Sequence, residues 1–145
     1  MFTKAIKPAN GPAAIGPYSP AVKLGDFVYL SGQLPVDPVT NEIVSGGIRQ
    51  QTHQSMQNIV TILEELGLET RHIVKTTVFL QDMGMFKDMN EVYAEYFDEP
   101  YPARSCVQVA ALPKGALVEI ECLVIDTLQY EKPREGRSCC EGCKR

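Results

Sequence analysis

Arg104, Cys106, Glu119 and Glu121 are the residues whose types and spacing could do chemistry. They lie in PARSCVQVAALPKGALVEIECLVI, residues 102–125, where two β-like runs flank the turn Leu112-Pro113-Lys114-Gly115. With the two-residue period of a strand, Arg104, Cys106 and Gln108 share a face of the first run, and Glu119 and Glu121 share a face of the second. A buried arginine stays charged, and its planar fork matches a carboxylate with two parallel hydrogen bonds. A glutamate on the neighbouring strand could hold a water or pass protons. Together these two functions describe hydrolysis of a small carboxylate-bearing molecule. The same residues also fit a structural ion pair, in which Arg104 neutralises Glu119 or Glu121, because buried charges must be paired. Cys106 reads as a packed thiol, since neither His53 nor His72 is placed by sequence to activate it as a nucleophile.

The elements that must position these groups follow from punctuation and period. Pro8, Gly11, Pro12, Gly16, Pro17 and Pro20 keep the start of the chain extended and looped, with room for a short strand at residues 2–6. Residues 21–24 and 27–30 read as a hairpin across Gly25-Asp26, a two-residue turn of the Gly-X type. From Gly47, the apolar residues Ile48, Met56, Ile59, Ile62, Leu63 and Leu66 recur at helical spacing over about five turns, with Gly67 placed to cap the end. IVKTTVFL, residues 73–80, reads as a central strand. Phe86, Met89, Tyr93, Tyr96 and Phe97 trace a core-facing stripe on a second helix over residues 85–97, stopped by Pro100 and Pro102. The order is β-β-α-β-α-β-β. Two helices cover only one face of such a sheet, so the other face needs a partner, and an oligomer with pockets between subunits is expected.

Length and charge bound the rest. A chain of 145 residues supports one domain, read here as residues 1–128, followed by a flexible cysteine-bearing tail over 129–145. The net charge of −4 disfavours RNA binding by electrostatics. No window approaches the length of apolar sequence a membrane span requires, and no secretory pattern opens the chain, so a soluble, cytoplasmic protein is expected. Cys139, Cys140 and Cys143 crowd the tail, and Cys140-x-x-Cys143 is half of a zinc site with no second half visible. The glycines form no phosphate-binding spacing, so no cofactor loop is read. His53 lies off the apolar stripe of the first helix and His72 falls in a loop; both are read as surface residues without a role. Tyr18, in an irregular segment, is either a surface anchor or a pocket lid.

Five stretches carry a resemblance: GPAAIGPYSP from Gly11, SGQLPVDP from Ser31, IVKTTVFLQDM from Ile73, NEVYAEYF from Asn90, and PARSCVQVAALPKGALVEIE from Pro102. On these the chain resembles the RidA family of enamine/imine deaminases, also called the L-PSP endoribonuclease or translation-inhibitor family. The resemblance implies an α+β, chorismate-mutase-like mixed sheet with two helices on one face, assembled as a homotrimer with sites between subunits. It implies hydrolysis of 2-aminoacrylate-type enamines and imines to 2-keto acids and ammonia, with no metal or cofactor. It also assigns residues: Arg104 to the substrate carboxylate, Glu119 to water and proton transfer, Tyr18, Ser31 and Gly32 to the pocket lining, Cys106 to backbone contacts, and Phe86 and Asn90 to wall and rim from a neighbouring chain. Ribonuclease action and a non-catalytic ligand-binding or chaperone-like trimer remain as alternatives. Glu121 and the tail have no role in this reading.

Overall fold

The hairpin turn forms where the sequence places it: Gly25 takes φ +58, the left-handed conformation that opens a Gly-X turn, and joins β2 (Ala21–Leu24) to β3 (Phe27–Gln33). In the computed structural model, which describes residues 2–131, β1 (Lys4–Ile6) pairs with β2. Next come α1 (Ile48–Glu65), β4 (Ile73–Leu80), α2 (Phe86–Ala94), β5 (Ala103–Gln108), β6 (Val118–Ile125) and a single turn of helix, α3 (Leu128–Glu131).

The six strands form one mixed sheet in the order β1-β2-β3-β6-β4-β5. Only β4 and β5 are parallel, joined through α2 as a crossover helix. The two runs flanking the Pro113 turn are therefore not neighbours, contrary to the simplest reading of the sequence: β6 inserts between β3 and β4, and β5 is an edge. Composition explains the order. Val118, Ile120, Cys122 and Val124 are all buried on one side of β6, so that strand gains most from a central place. In β5, Arg104, Ser105 and Gln108 leave one margin that an exposed edge tolerates.

The helices cover the face that carries those β6 residues. Met56, Ile59, Ile62 and Leu63 of α1 and Met89 and Val92 of α2 are essentially without solvent exposure. Each such side chain contributes about 1.5–3 kcal/mol through burial. At the start of α1 the Gln50 side chain accepts from the Gly47 N–H (3.0 Å). At its end Gly67 takes φ +71, its N–H reaches Glu64 O (3.0 Å), and the Leu68 N–H reaches Leu63 O (2.8 Å). This pair of bonds is a Schellman motif, with Leu68 packed into the core beside Leu63. α2 is shorter than its aromatic stripe: Tyr96 and Phe97 follow in a tightened turn of i→i−3 bonds, which still turns Phe97 inward.

The expectation of a surface position for His72 is corrected. His72 is buried, with 2% of its side chain exposed; its Nδ1 accepts from the Glu69 N–H (2.9 Å) and its Nε2 lies 3.1 Å from Glu131 Oε1. A histidine next to Ile73 at the foot of a central strand is drawn in with the strand. The described residues continue through α3, across the expected boundary at residue 128. Arg71 donates two hydrogen bonds to the Glu131 carboxylate, holding its pKa down to about 2, and the Tyr130 hydroxyl donates to Asp26. The rest of the expected tail, with Cys139, Cys140 and Cys143, lies outside the described residues. Among those described, no helix is long and apolar enough to cross a membrane.

The Schellman cap gives a test of local energetics. Gly67→Ala forces a β-carbon into a left-handed position and should cost about 1–2 kcal/mol. Urea denaturation at fixed protein concentration should show a lower midpoint with an unchanged slope.

Candidate active site

Arg104 projects from the helix-covered face at the sheet's edge. Its register partner is Thr76 on β4, in line with Cys122 on β6, and both of those are buried under the helices. α2 offers Phe86, Asn90 and Tyr93, residues spaced by four and three and so on one helical face. Arg104 Nη1 donates to Asn90 Oδ1 (2.8 Å), and the guanidinium carbon lies 4.8 Å from the centre of the Tyr93 ring and 5.5 Å from that of Phe86. Tyr93 is itself fixed by a 2.7 Å hydrogen bond between its hydroxyl and Thr76. The guanidinium therefore rests on aromatic faces, which attract a cation without neutralising it. Among the described residues no carboxylate lies within ion-pair distance of Arg104. A half-buried, oriented fork with free N–H groups and no anion is suited to a ligand carboxylate. Cys106, two residues on, shares this face; burial pushes its thiol up, against a smaller opposite pull from Arg104. The thiol form prevails, as expected for a packing residue.

Glu119 faces the other way. It pairs with Phe79 on the sheet face that no helix covers, and on its β3 side the ladder is broken. Leu30 pairs with Cys122 but Gln33 with Ile120, so three steps on β3 match two on β6, a bulge at Ser31-Gly32. The Glu119 carboxylate folds over that bulge so closely that a β-carbon on Gly32 would lie 1.9 Å from Oε1. The glycine leaves room for the carboxylate where it lies, and backbone conformation does not call for it. Ser31 ties the bulge to the N-terminal loop: its Oγ donates to Ser19 O (2.7 Å) and its N–H to Pro20 O (2.9 Å). That loop brings Tyr18 over an open cleft of about 460 Å³ shared by Tyr18, Ser31, Gly32, Lys114 and Glu119. Tyr18 is 51% exposed in the single chain. Burial, and secondarily the negative charge of Glu121, raise the Glu119 pKa above the ordinary carboxylate range.

The eight residues singled out from sequence thus form two groups. Tyr18, Ser31, Gly32 and Glu119 line one cleft; Arg104, Phe86, Asn90 and Cys106 gather at the edge of the opposite face. Phe86 and Asn90 accompany Arg104 within its own chain, so they are a neighbour's residues only relative to Glu119. The intrachain ion pair is ruled out by geometry, because β4 separates the strands of Arg104 and Glu119 and the two side chains leave opposite faces of the sheet. Tyr93, read from sequence as core, also forms the floor under the guanidinium. The bulge was missed; a glycine inside a strand, as at Gly32, is the signal that marks one. Among the described residues no cluster of His, Cys, Asp and Glu is placed to hold a metal.

Residues 8–126 match the family model described as Endoribonuclease L-PSP. The chain is 53% identical to a RutC family protein of Pyrococcus horikoshii over 114 residues, 79% of this chain and 90% of that one. It is 43% identical to the human 2-iminobutanoate/2-iminopropanoate deaminase over 125 residues, covering 86% and 91%. Among solved structures it resembles E. coli TdcF with bound serine, at 45% identity and a TM-score of 0.79, covering 84% of this chain and 98% of that one.

The contact between Gly32 and Glu119 makes a structural prediction. Gly32→Ala should leave the fold intact by circular dichroism, while its crystal structure shows the Glu119 carboxylate displaced from the bulge. A carboxylate unmoved in that structure would remove the steric reason for the glycine.

Proposed function

The chain belongs to the Endoribonuclease L-PSP family, and from that premise we propose that it is a hydrolytic deaminase of enamine and imine acids, working at a site built from two copies of the chain. The observation that carries the proposal is the pairing of an anion-free Arg104 with a raised-pKa Glu119 on opposite faces of one sheet. Each half has what the other lacks. The uncovered face presents Leu24, Phe27, Tyr29 and Val107, each more than 40% exposed, a surface suited to a second copy. A homotrimer would close a ring in which the Arg104 half of each copy meets the Glu119 half of the next.

In that site Arg104 would hold the substrate carboxylate, with Asn90 fixing its fork and Phe86 forming a wall. For 2-aminoacrylate, the protonated Glu119 would give its proton to the terminal carbon, leaving an iminium and a carboxylate. That carboxylate would take a proton from water as the water oxygen bonds to the iminium carbon. The proton then passes to nitrogen. As the C–N bond breaks, the carbinol hydroxyl becomes the keto carbonyl and gives its proton to the Glu119 carboxylate, which releases ammonia and a 2-keto acid and restores the protonated glutamate. Such a step needs orientation and a proton shuttle more than strong activation, because the iminium carbon is already electrophilic. Tyr18 and Ser31 would close the cleft around the nitrogen and the water. Two similarities support this reading: the human relative is named for the activity, and TdcF was solved with serine, which carries its carboxylate and its nitrogen on the same carbon as such substrates do. The family's ribonuclease description fits the chain less well, since the net charge is −4, His72 is buried and His53 bonds Tyr96 on the helix side.

The test generates 2-aminoacrylate with a serine dehydratase and follows keto-acid release. The protein should accelerate release, and Arg104→Ala and Glu119→Gln should each reduce that acceleration by at least about 100-fold. Refolding the two variants together should restore about a quarter of the activity, because in a closed ring one pairing in four joins an intact Arg104 half to an intact Glu119 half. Release unchanged by the wild-type protein sinks the deaminase reading, and an inactive mixture sinks the shared site.

A further inference from the structure

Glu121 has no part in the reaction described, yet it stands on the same face of β6 as Glu119, two residues away and so about 7 Å along the strand. The bulge at Ser31-Gly32 is the wall between them. Ser31 lines both the cleft holding Glu119 and a second cavity of about 340 Å³ that holds Glu121 together with Tyr29, Lys75 and Thr77.

The charged and titratable groups near the pair are few. From β4 comes Lys75, from the turn before β6 comes Lys114, from the N-terminal loop Tyr18 and from β3 Tyr29. Both lysines are held elsewhere: Lys75 Nζ donates to Ser105 Oγ (2.9 Å), and Lys114 Nζ donates to Asn41 O (2.6 Å). Among the described residues neither lysine pairs with Glu119 or Glu121. The two carboxylates therefore stand side by side on one strand face, on either side of the bulge, with no ion pair to a lysine among the described residues.

We propose that Glu121 is a positioning residue for Glu119: it stands on the same strand face, in the cavity joined to the Glu119 cleft through Ser31, and its charge acts on the one side chain that must first donate and then accept a proton. The role rests on the deaminase reading for its use, but the coupling of the two carboxyls does not. Geometry and direction agree, since Glu121 is the charge that adds to burial in raising Glu119. Two residues along a strand is near enough for one carboxylate's charge to act on the other. An acid meant both to protonate an enamine carbon and to take a proton from water works best with its pKa brought toward the working pH.

Removing the charge with Glu121→Gln should lower the Glu119 midpoint. With a preformed imine as substrate, where Glu119 acts as base, the acidic limb of kcat/KM should move to lower pH by about half a unit to one unit. Glu121→Asp, which restores the charge, should bring the limb back. A merely structural Glu121 would change the rate without moving the limb. Carbon-13 NMR of the Glu119 carboxyl gives the same midpoint without any substrate. If the Gln variant does not fold, Glu121→Thr, β-branched and at home in a strand, replaces it. A midpoint that stays in place in the neutral variant overturns the proposal even where the wild type is an active deaminase. Absence of keto-acid release by the wild type overturns the deaminase reading instead, and the NMR midpoint then decides the coupling alone.

Discussion

A β-strand has two faces, and in β6 they are given to different tasks. Val118, Ile120, Cys122 and Val124 point to the helices and are buried, while Glu119 and Glu121 point to the face without helices. The same alternation on β5 puts Arg104 and Cys106 on the helix side. Because the period is two, neither arginine nor glutamate can change face without moving a set of core side chains to solvent. The core therefore holds the two groups apart. A lone charge at the margin of a packed core is ordinarily costly, and among the described residues it is eased by two aromatic faces and one amide oxygen. This leaves the guanidinium oriented and available to an anion.

The opposite face shows the same economy of means. A ladder running unbroken beside β6 would place side chains in step next to Glu119 and leave no room for its carboxylate. The extra residue at Ser31-Gly32 opens that space, and the missing β-carbon of Gly32 lets the carboxylate lie against backbone. Ser31 then ties the bulge to the N-terminal loop, since its N–H and hydroxyl both bond the Ser19-Pro20 backbone and bring Tyr18 over the cleft. One irregularity in a strand thus positions a loop, a tyrosine and a carboxylate together.

Much of this was legible in the sequence, and the rest was not for physical reasons. Period-two alternation gives faces, so the grouping of Arg104 with Cys106 and of Glu119 with Glu121 could be read directly, as could the Gly25 turn and the Gly67 cap. Pairing order is not a local property. Nothing within residues 102–125 says that β6 will insert between β3 and β4, because that choice depends on which strand buries most area across the whole sheet. The ion pair that spacing suggests fails on that point, because the two strands adjacent in sequence have β4 between them in the sheet. His72 was misread for a related reason, since its burial depends on Glu69 and Glu131, residues that a loop-and-charge pattern places in solvent. The roles of Phe86, Asn90 and Tyr93 around one guanidinium likewise need α2 docked on β5 before their spacing means anything.

The two-faced arrangement also bears on why such a site would be shared between chains. Within a single sheet, an arginine and a glutamate close enough to act on one small molecule would be close enough to neutralise each other, and a paired fork has less to offer a ligand. Placing them on opposite faces removes that outcome in the isolated chain. They can meet only across an interface, where apolar packing of Leu24, Phe27, Tyr29 and Val107 would supply the association and fix the separation. A gap wide enough for a carboxylate on one side and a water on the other can then be held open by the packing around it, so that ligand completes the electrostatics that the chain alone leaves unsatisfied.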